Sequence, residues 1–289
     1  SENICEPILL GHEERIEAVK EELGLEFDCE TIDVRYDPRR RGSYADEFHK
    51  IRGRKGVTVE DAVRLMKSTT YFGSMMVHMG DADGYLGGVA HHYPDIVKPC
   101  LQTIGPAPGT HRIVGMYMMT VNGQLMFIGD ATINIYPDAR TLAEIAIQTA
   151  KVARRFGVTP KVAMLSFSNF GTSGEMRTDR IEEAIAIARE MQPDLCIDGP
   201  MQADTALIED IQENYPFMEF EGPANVLICP NLASANIAYK LLNRLGKAKT
   251  IGPILLGMGA PIHVLQTGDE VNDIVEMAAV AVMDAMSRD

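Results

Sequence analysis

Apolar residues along this chain come in short runs that break at turn residues, at positions 7–10, 31–34, 162–165, 195–197, 226–229 and 254–256. Between the runs, apolar positions recur at helical spacing. Strands alternating with helices predict βαβ units and a largely parallel sheet, an α/β fold. Helix starts carry local signals. Thr58 with Asp61, Thr141 with Glu144, and Asp179 with Glu182 each precede an apolar stripe in capping arrangement. Gly24 and Gly157 stand where helices should end. The last helix, 271–286, is apolar on most sides and is expected to be buried on two faces. One stretch departs from the alternation. Residues 112–134 read as two strands around Asn122-Gly123, a strong hairpin signal, and a boundary is placed near residue 110.

Composition narrows the function classes. At 289 residues, 46% hydrophobic and 24% charged, the chain suits one large α/β unit or two lobes rather than a disordered polymer. A net charge of −14 argues against a nucleic-acid or anionic-membrane surface. No apolar run is long enough to span a bilayer and no signal peptide opens the chain, so a cytoplasmic location is expected. The first residues, lacking Met, are read as the edge of a fragment. The five cysteines are spread without a CxxC, which favours reduced and mostly buried thiols. The 17 methionines read as adaptable core filling.

The common catalytic signatures are missing: no GxGxxG, GxxxxGK[ST], GxSxG or HExxH. Asp81-Ala-Asp83-Gly84 lacks the closing glutamate of a calcium loop, and His91-His92 lacks a third ligand, so no metal site is expected. Four segments follow predicted strands, where open α/β sheets place their ligands. Ser166, Ser168, Asn169, Gly171, Thr172, Ser173 and Gly174 form a small-residue loop able to cradle a phosphate, or a plain connecting loop. In 198–204, Asp198 and Gln202 are candidates to orient a ligand amide, with an N-cap role for Asp204 preferred. In 230–240, a strand runs into a helix carrying Asn231, Asn236 and Lys240, with Lys240 either meeting a phosphate or solvated. In 252–273, Gln266 and Thr267 precede Asp269, Glu270 and Asp273, which suit a helix N-terminus and would repel an anion placed there. The basic clusters 52–56 and 39–41 either face an acidic ligand or are solvated.

The stretches KGVTVEDAVRLM, YFGSMMVHMGDADGYLGG, GDATIN, VAMLS, IDGPMQAD, ANVLICPN, NIAYKLLNRLG and GPILLGM together resemble the phosphotransacetylase family over nearly the whole chain. Within it, MLSFSNFG, GMYMM, MQADTAL and PILLGM with PIHVLQ look like the C-terminal domain of large hybrid malic enzymes. The family resemblance implies a two-lobed α/β/α fold like phosphotransacetylase and isocitrate dehydrogenase, one lobe being 1–110 plus 256–289 and the other 111–255. The subgroup resemblance implies a non-catalytic regulatory and dimerisation domain, with acetyl-CoA as its effector. Its partners would be a second copy, or more, of the chain and an N-terminal malic enzyme domain, which alone would use NADP and a divalent metal to decarboxylate malate. The alternatives are an active phosphate acetyltransferase, converting acetyl-CoA and phosphate to acetyl phosphate and CoA, or a purely structural oligomerisation module.

Carried over position by position, the resemblance keeps two family residues, Arg52 and Asp273. Lys98 stands where the family has Arg, Gln266 where it has Ser and Thr267 where it has Arg. Lys loses the bidentate fork and Thr loses a charge, which argues against catalysis. The expected acetyl-CoA ligands are Ser166, Ser168, Asn169, Gly171, Thr172, Asn231, Asn236, Lys240 and Gln266.

Overall fold

A computed structural model describes residues 3–171 and 179–288. The chain divides into two compact units, Ser1–Pro108 with Met258–Asp289, and Gly109–Gly257.

The first unit opens with β1 (Ile8–Leu10), α1 (Glu13–Leu23), β2 (Glu30–Ile32) and α2 (Pro38–Arg52). A 3-10 turn, Gly53–Lys55, leads to α3 (Val59–Leu65), α4 (Thr69–Met79), β3 (Tyr85–Gly87) and α5 (Tyr93–Thr103). The second unit contributes the hairpin β4 (Val114–Val121) and β5 (Gln124–Gly129), then α6 (Ala139–Arg155), β6 (Val162–Leu165) and α7 (Asp179–Met191). It continues through β7 (Ile197–Met201), α8 (Ala203–Leu207), α9 (Glu209–Gln212), β8 (Val226–Ile228), α10 (Leu232–Arg244) and β9 (Lys249–Leu256). The chain then returns to the first unit as β10 (Ile262–Val264) and α11 (Val271–Met286).

In the first unit, β1 pairs parallel with β2, and β10 pairs parallel with β3. Its core gathers Tyr44, Phe48, Met66, Phe72 and Met75 from α2, α4 and the end of α3. Thr58 and Asp61 cap α3 reciprocally, as their spacing predicts. Helix α11 differs from expectation. Only Met277, Val280 and Asp284 are buried, while Val271 and Met286 are more than 70% exposed. Its apolar composition is therefore not matched by burial on two faces.

The second unit is one six-stranded sheet in the order β7-β6-β8-β5-β4-β9. Strands β7, β6, β8 and β5 run parallel, whereas β4 is antiparallel to both β5 and β9. Asn122 and Gly123 both adopt positive φ, the geometry of a two-residue hairpin loop. Three local expectations shift. Helix α6 is capped by Asp138, whose Oδ1 accepts from Thr141 N at 2.8 Å, so Thr141 lies inside the helix. Strand β7 is Ile197–Met201, beginning where a strand at 195–197 was expected to end. Gln202, not Asp204, stands at the N-cap of α8. The cysteines also differ, since only Cys100 and Cys229 are buried while Cys5 is exposed and Cys29 and Cys196 are half-buried.

The fully buried His263 on β10 ties the fold to pH. Its Nε2 lies 3.7 Å from Asp284 Oδ2, and Arg288 holds the same carboxylate oxygen at 3.0 Å. Burial pushes the imidazole down to about 4, with Asp284 opposing and Arg288 adding to the depression. An unfolded histidine titrates near 6.5, so on acidification the unfolded chain takes up this proton first. Stability is retained above that value and lost as pH falls towards about 4. Moving from pH ~7 to pH ~5 is expected to cost about 2 kcal/mol through this group alone. Urea unfolding of the wild type and of His263→Gln checks it; equal pH slopes for the two would exclude the effect.

Candidate functional site

In the second unit, the chain leaves adjacent strands β6 and β8 in opposite directions: α7 leads outward to β7, and α10 leads across to β9. Such a reversal marks the crevice at the carboxyl ends of the two strands where open α/β sheets bind ligands. The loop 166–171 and residues 229–231 border it.

The loop is laced to the strand beside it. Ser166 N donates to Met201 O at 2.8 Å, and Phe170 N donates to Pro200 O at 2.6 Å. Asn169 works as a clasp, its Oδ1 accepting from Gln202 N at 2.7 Å and its Nδ2 donating to the Tyr215 hydroxyl at 3.1 Å. Gln202 Nε2 donates to Phe167 O at 2.6 Å. Ser168 is buried, whereas Ser166 and Gly171 are half-buried. The Glu182 carboxylate lies against Gly171. Thr172, Ser173 and Gly174 lie outside the described residues.

Across the crevice, Asn231 is the N-cap of α10, accepting from Ser234 N at 3.0 Å. Asn236 Nδ2 donates to Ala131 O at 3.3 Å. Both amides thus hold backbone. Lys240 is exposed, with its Nζ 5.7 Å from the Tyr239 ring centroid. Asp198 is buried and accepts from Glu219 N and Gly199 N, a structural use rather than an outward one.

Two residues not singled out from the pattern stand out here. Arg180, on the first turn of α7, is half-buried and its Nη2 donates to Pro230 O at 2.8 Å. Asp130, buried at the end of β5, accepts from Gly115 N, Thr132 N, Ile133 N and Asn134 N and from Asn134 Nδ2. It thereby shapes the loop 130–134 beside α10. An Asp two residues before Thr and four before Asn was its only local signal.

The first unit holds the second group. Arg52 ends α2 half-buried, and its Nε is buried with no hydrogen-bond partner among the described residues. Beside it is Tyr71, whose phenol burial pushes up and the Arg52 charge pulls down. Tyr71 Oη donates to Gln102 Oε1 at 2.5 Å. Lys98 lies exposed one turn before Gln102 on α5, hence on the same helix face. The other loop follows β10. Gln266 N donates to Asp269 Oδ2 at 2.7 Å, and Thr267 Oγ1 donates to His91 O at 3.4 Å. Asp269 is raised above the usual carboxylate range by burial. Asp273 accepts from Glu270 N at 2.8 Å in the α11 capping box. Gly88, at φ 128°, closes the end of β3, where a Cβ would sit 2.6 Å from Leu265 O; only glycine fits that approach.

Among the described residues no group of three His, Cys, Asp or Glu is placed to hold a metal ion, and no helix is long and apolar enough to cross a membrane.

Residues 1–282 match the family described as Phosphate acetyl/butaryl transferase. The phosphate acetyltransferase of Corynebacterium glutamicum is 38% identical, over 99% of this chain and 88% of that protein. The crystal structure of a phosphotransacetylase from Streptococcus pyogenes superposes with a TM-score of 0.92 at 36% identity, covering 98% of this chain and 86% of that one. The NADP-dependent malic enzyme of Escherichia coli is 37% identical over 99% of this chain, but over only 38% of that protein. The mixed α/β fold is that of the phosphotransacetylase structures.

These findings correct the malic enzyme reading. Identity to the two kinds of relative is nearly equal, but the match spans 88% of the phosphate acetyltransferase and only 38% of the malic enzyme, so the likeness supports a phosphate acetyltransferase rather than a regulatory domain of malic enzyme. Part of each motif behind that reading is interior, while Phe167, Ala203 and Asp204 are exposed. Met116, Tyr117, Met118 and Met119 are buried in β4, Met164 is buried in β6, and 261–265 are buried around β10. Filling the interior of this fold accounts for these buried positions.

Proposed function

The chain belongs to the Phosphate acetyl/butaryl transferase family, and from that premise we propose that it is itself a phosphate acetyltransferase, moving an acetyl group between the thiol of CoA and inorganic phosphate. The reading of a non-catalytic acetyl-CoA sensor gives way to it. In this role acetyl-CoA is a substrate and no metal or redox group takes part.

In the direction of acetyl-CoA synthesis, the CoA sulfur attacks the carbonyl carbon of acetyl phosphate. The S–C bond forms, the C–O bond to phosphate breaks, and the thiol proton leaves through a carboxylate to the departing phosphate. Asp273 is assigned that proton. Arg52 and Lys98 hold the phosphoryl oxygens, where fixed cations count most as charge moves onto the leaving group. Lys98 in place of an arginine keeps the charge and gives up the fork, which lowers the rate without removing the chemistry.

The observation that supports this reading most is Arg52. A guanidinium brought partly out of water with a buried, unpartnered Nε fits a site whose missing partner is an anion. The test is to incubate the purified protein with acetyl-CoA and inorganic phosphate, following thiol release and trapping acetyl phosphate as its hydroxamate. Phosphate-dependent release of both products is expected. Thiol release that does not depend on phosphate would overturn the reading.

A further inference from the structure

We infer that Arg180 is the residue that takes a phosphate group at the nucleotide end of coenzyme A, in the crevice between β6 and β8; this rests on the phosphate acetyltransferase reading above.

The only adjacent parallel strands of this sheet whose onward connections diverge outward are β6 and β8. Arg180 arrives there from α7 and reaches over the end of β8 to Pro230 O. That contact uses one of five guanidinium N–H donors. Among the described residues no carboxylate lies within ion-pair distance of it. In a chain of net charge −14, a half-buried guanidinium with no described carboxylate in ion-pair range is a position where an external anion gains from charge attraction.

The neighbours make the same case by subtraction. Asn169, Asn231 and Asn236 spend their side chains on the protein itself. The Glu182 carboxylate against Gly171 disfavours a phosphate on that side of the loop. Lys240, on the α10 side, is solvent-exposed on the flank of Tyr239. Among the described residues Arg180 is left as the anchored positive group at this crevice.

CoA offers two such anions, the ribose 3′-phosphate and the diphosphate, and kinetics distinguishes them. In the intact protein, Arg180→Gln is expected to raise KM for CoA about tenfold or more, with kcat within about twofold and KM for acetyl phosphate unchanged. Dephospho-CoA then locates the contact. If the increase disappears with dephospho-CoA, the 3′-phosphate is the partner; if it persists, the diphosphate is. Thermal unfolding confirms that the variant folds. Should it not, Arg180→Lys decides, since it keeps the charge and loses the fork, and an increase of about threefold is expected. An unchanged KM for CoA in the folded variant, or an effect confined to kcat or to acetyl phosphate, overturns the inference. Absence of turnover in the wild type would instead sink the catalytic reading. Calorimetric titration with CoA would then still test Arg180, tighter binding by the wild type than by Arg180→Gln being the supporting result and equal binding the opposing one.

Discussion

Replacing Arg52 by Gln is expected to lower kcat/KM for acetyl transfer by roughly 100- to 1,000-fold while leaving the protein folded. The size follows from where the guanidinium sits. It closes α2, and its Nε is buried without a hydrogen-bond partner among the described residues. Tyr71 beside it is itself tied to Gln102, one turn along α5 from Lys98. An exposed arginine removed from water-rich surroundings would matter little, because solvent screens it. A partly buried cation that meets a dianionic phosphoryl group acts in a lower dielectric and is aimed before the reaction starts. Gln keeps hydrogen-bonding capacity but loses the charge, so KM for phosphate should rise together with the fall in kcat. Arg52→Lys should recover part of the loss, since it restores charge without the planar fork. Steady-state kinetics with varied phosphate, next to urea unfolding of each variant, measures this. A loss below about threefold in a folded variant would remove Arg52 from the reaction.

Asp130→Ala is expected to be the most destabilising single substitution at the sheet's binding edge, by about 4 kcal/mol. One carboxylate at 3% exposure gathers four backbone N–H groups and an amide within hydrogen-bond distance. Each donor left unsatisfied in the interior costs about 1–3 kcal/mol, and some relaxation of the loop offsets the sum. One of those donors, Gly115 N, belongs to β4, so the carboxylate joins the hairpin to the loop that follows it. The same loop accepts from Asn236 at Ala131 O, and Ile135 O just after it accepts from Leu232 N, so its loss should also disturb the start of α10. Asp130→Asn keeps one acceptor oxygen and should fall between wild type and Ala. Urea denaturation gives the values, and a cost under about 1 kcal/mol for Ala would show that water replaces the carboxylate at this site.

Local signals in the chain carried far. Strand β6 occupies 162–165, the hairpin turns at Asn122-Gly123, Thr58 and Asp61 cap α3, and α11 covers 271–286, each where short-range pattern alone placed it. These features depend on neighbours within four residues, and backbone preference and capping chemistry settle them without reference to the rest of the molecule. The small-residue loop after β6 was legible for the same reason, as was Arg52 through the family motif. Capping signals failed where a second candidate stood nearby. Asp138 outcompeted Thr141, and Gln202 took the position expected of Asp204, because helix entry there follows the preceding strand and loop rather than the side chain alone.

Tertiary structure decided what lies far apart in the chain. Arg180 meets Pro230 across 50 residues, Tyr71 meets Gln102 across 31, and Asp130 meets Gly115 across the hairpin. Apart from the Thr and Asn that follow Asp130, nothing within the local window of these residues announces the contact. Strand order had the same character, since the place where connections diverge exists only after β8 has inserted between β6 and β5. Burial was the subtler case. The methionine-rich strand β4 is interior and α11 is half outside, although both are comparably apolar, because burial is set by what packs against an element and not by its composition.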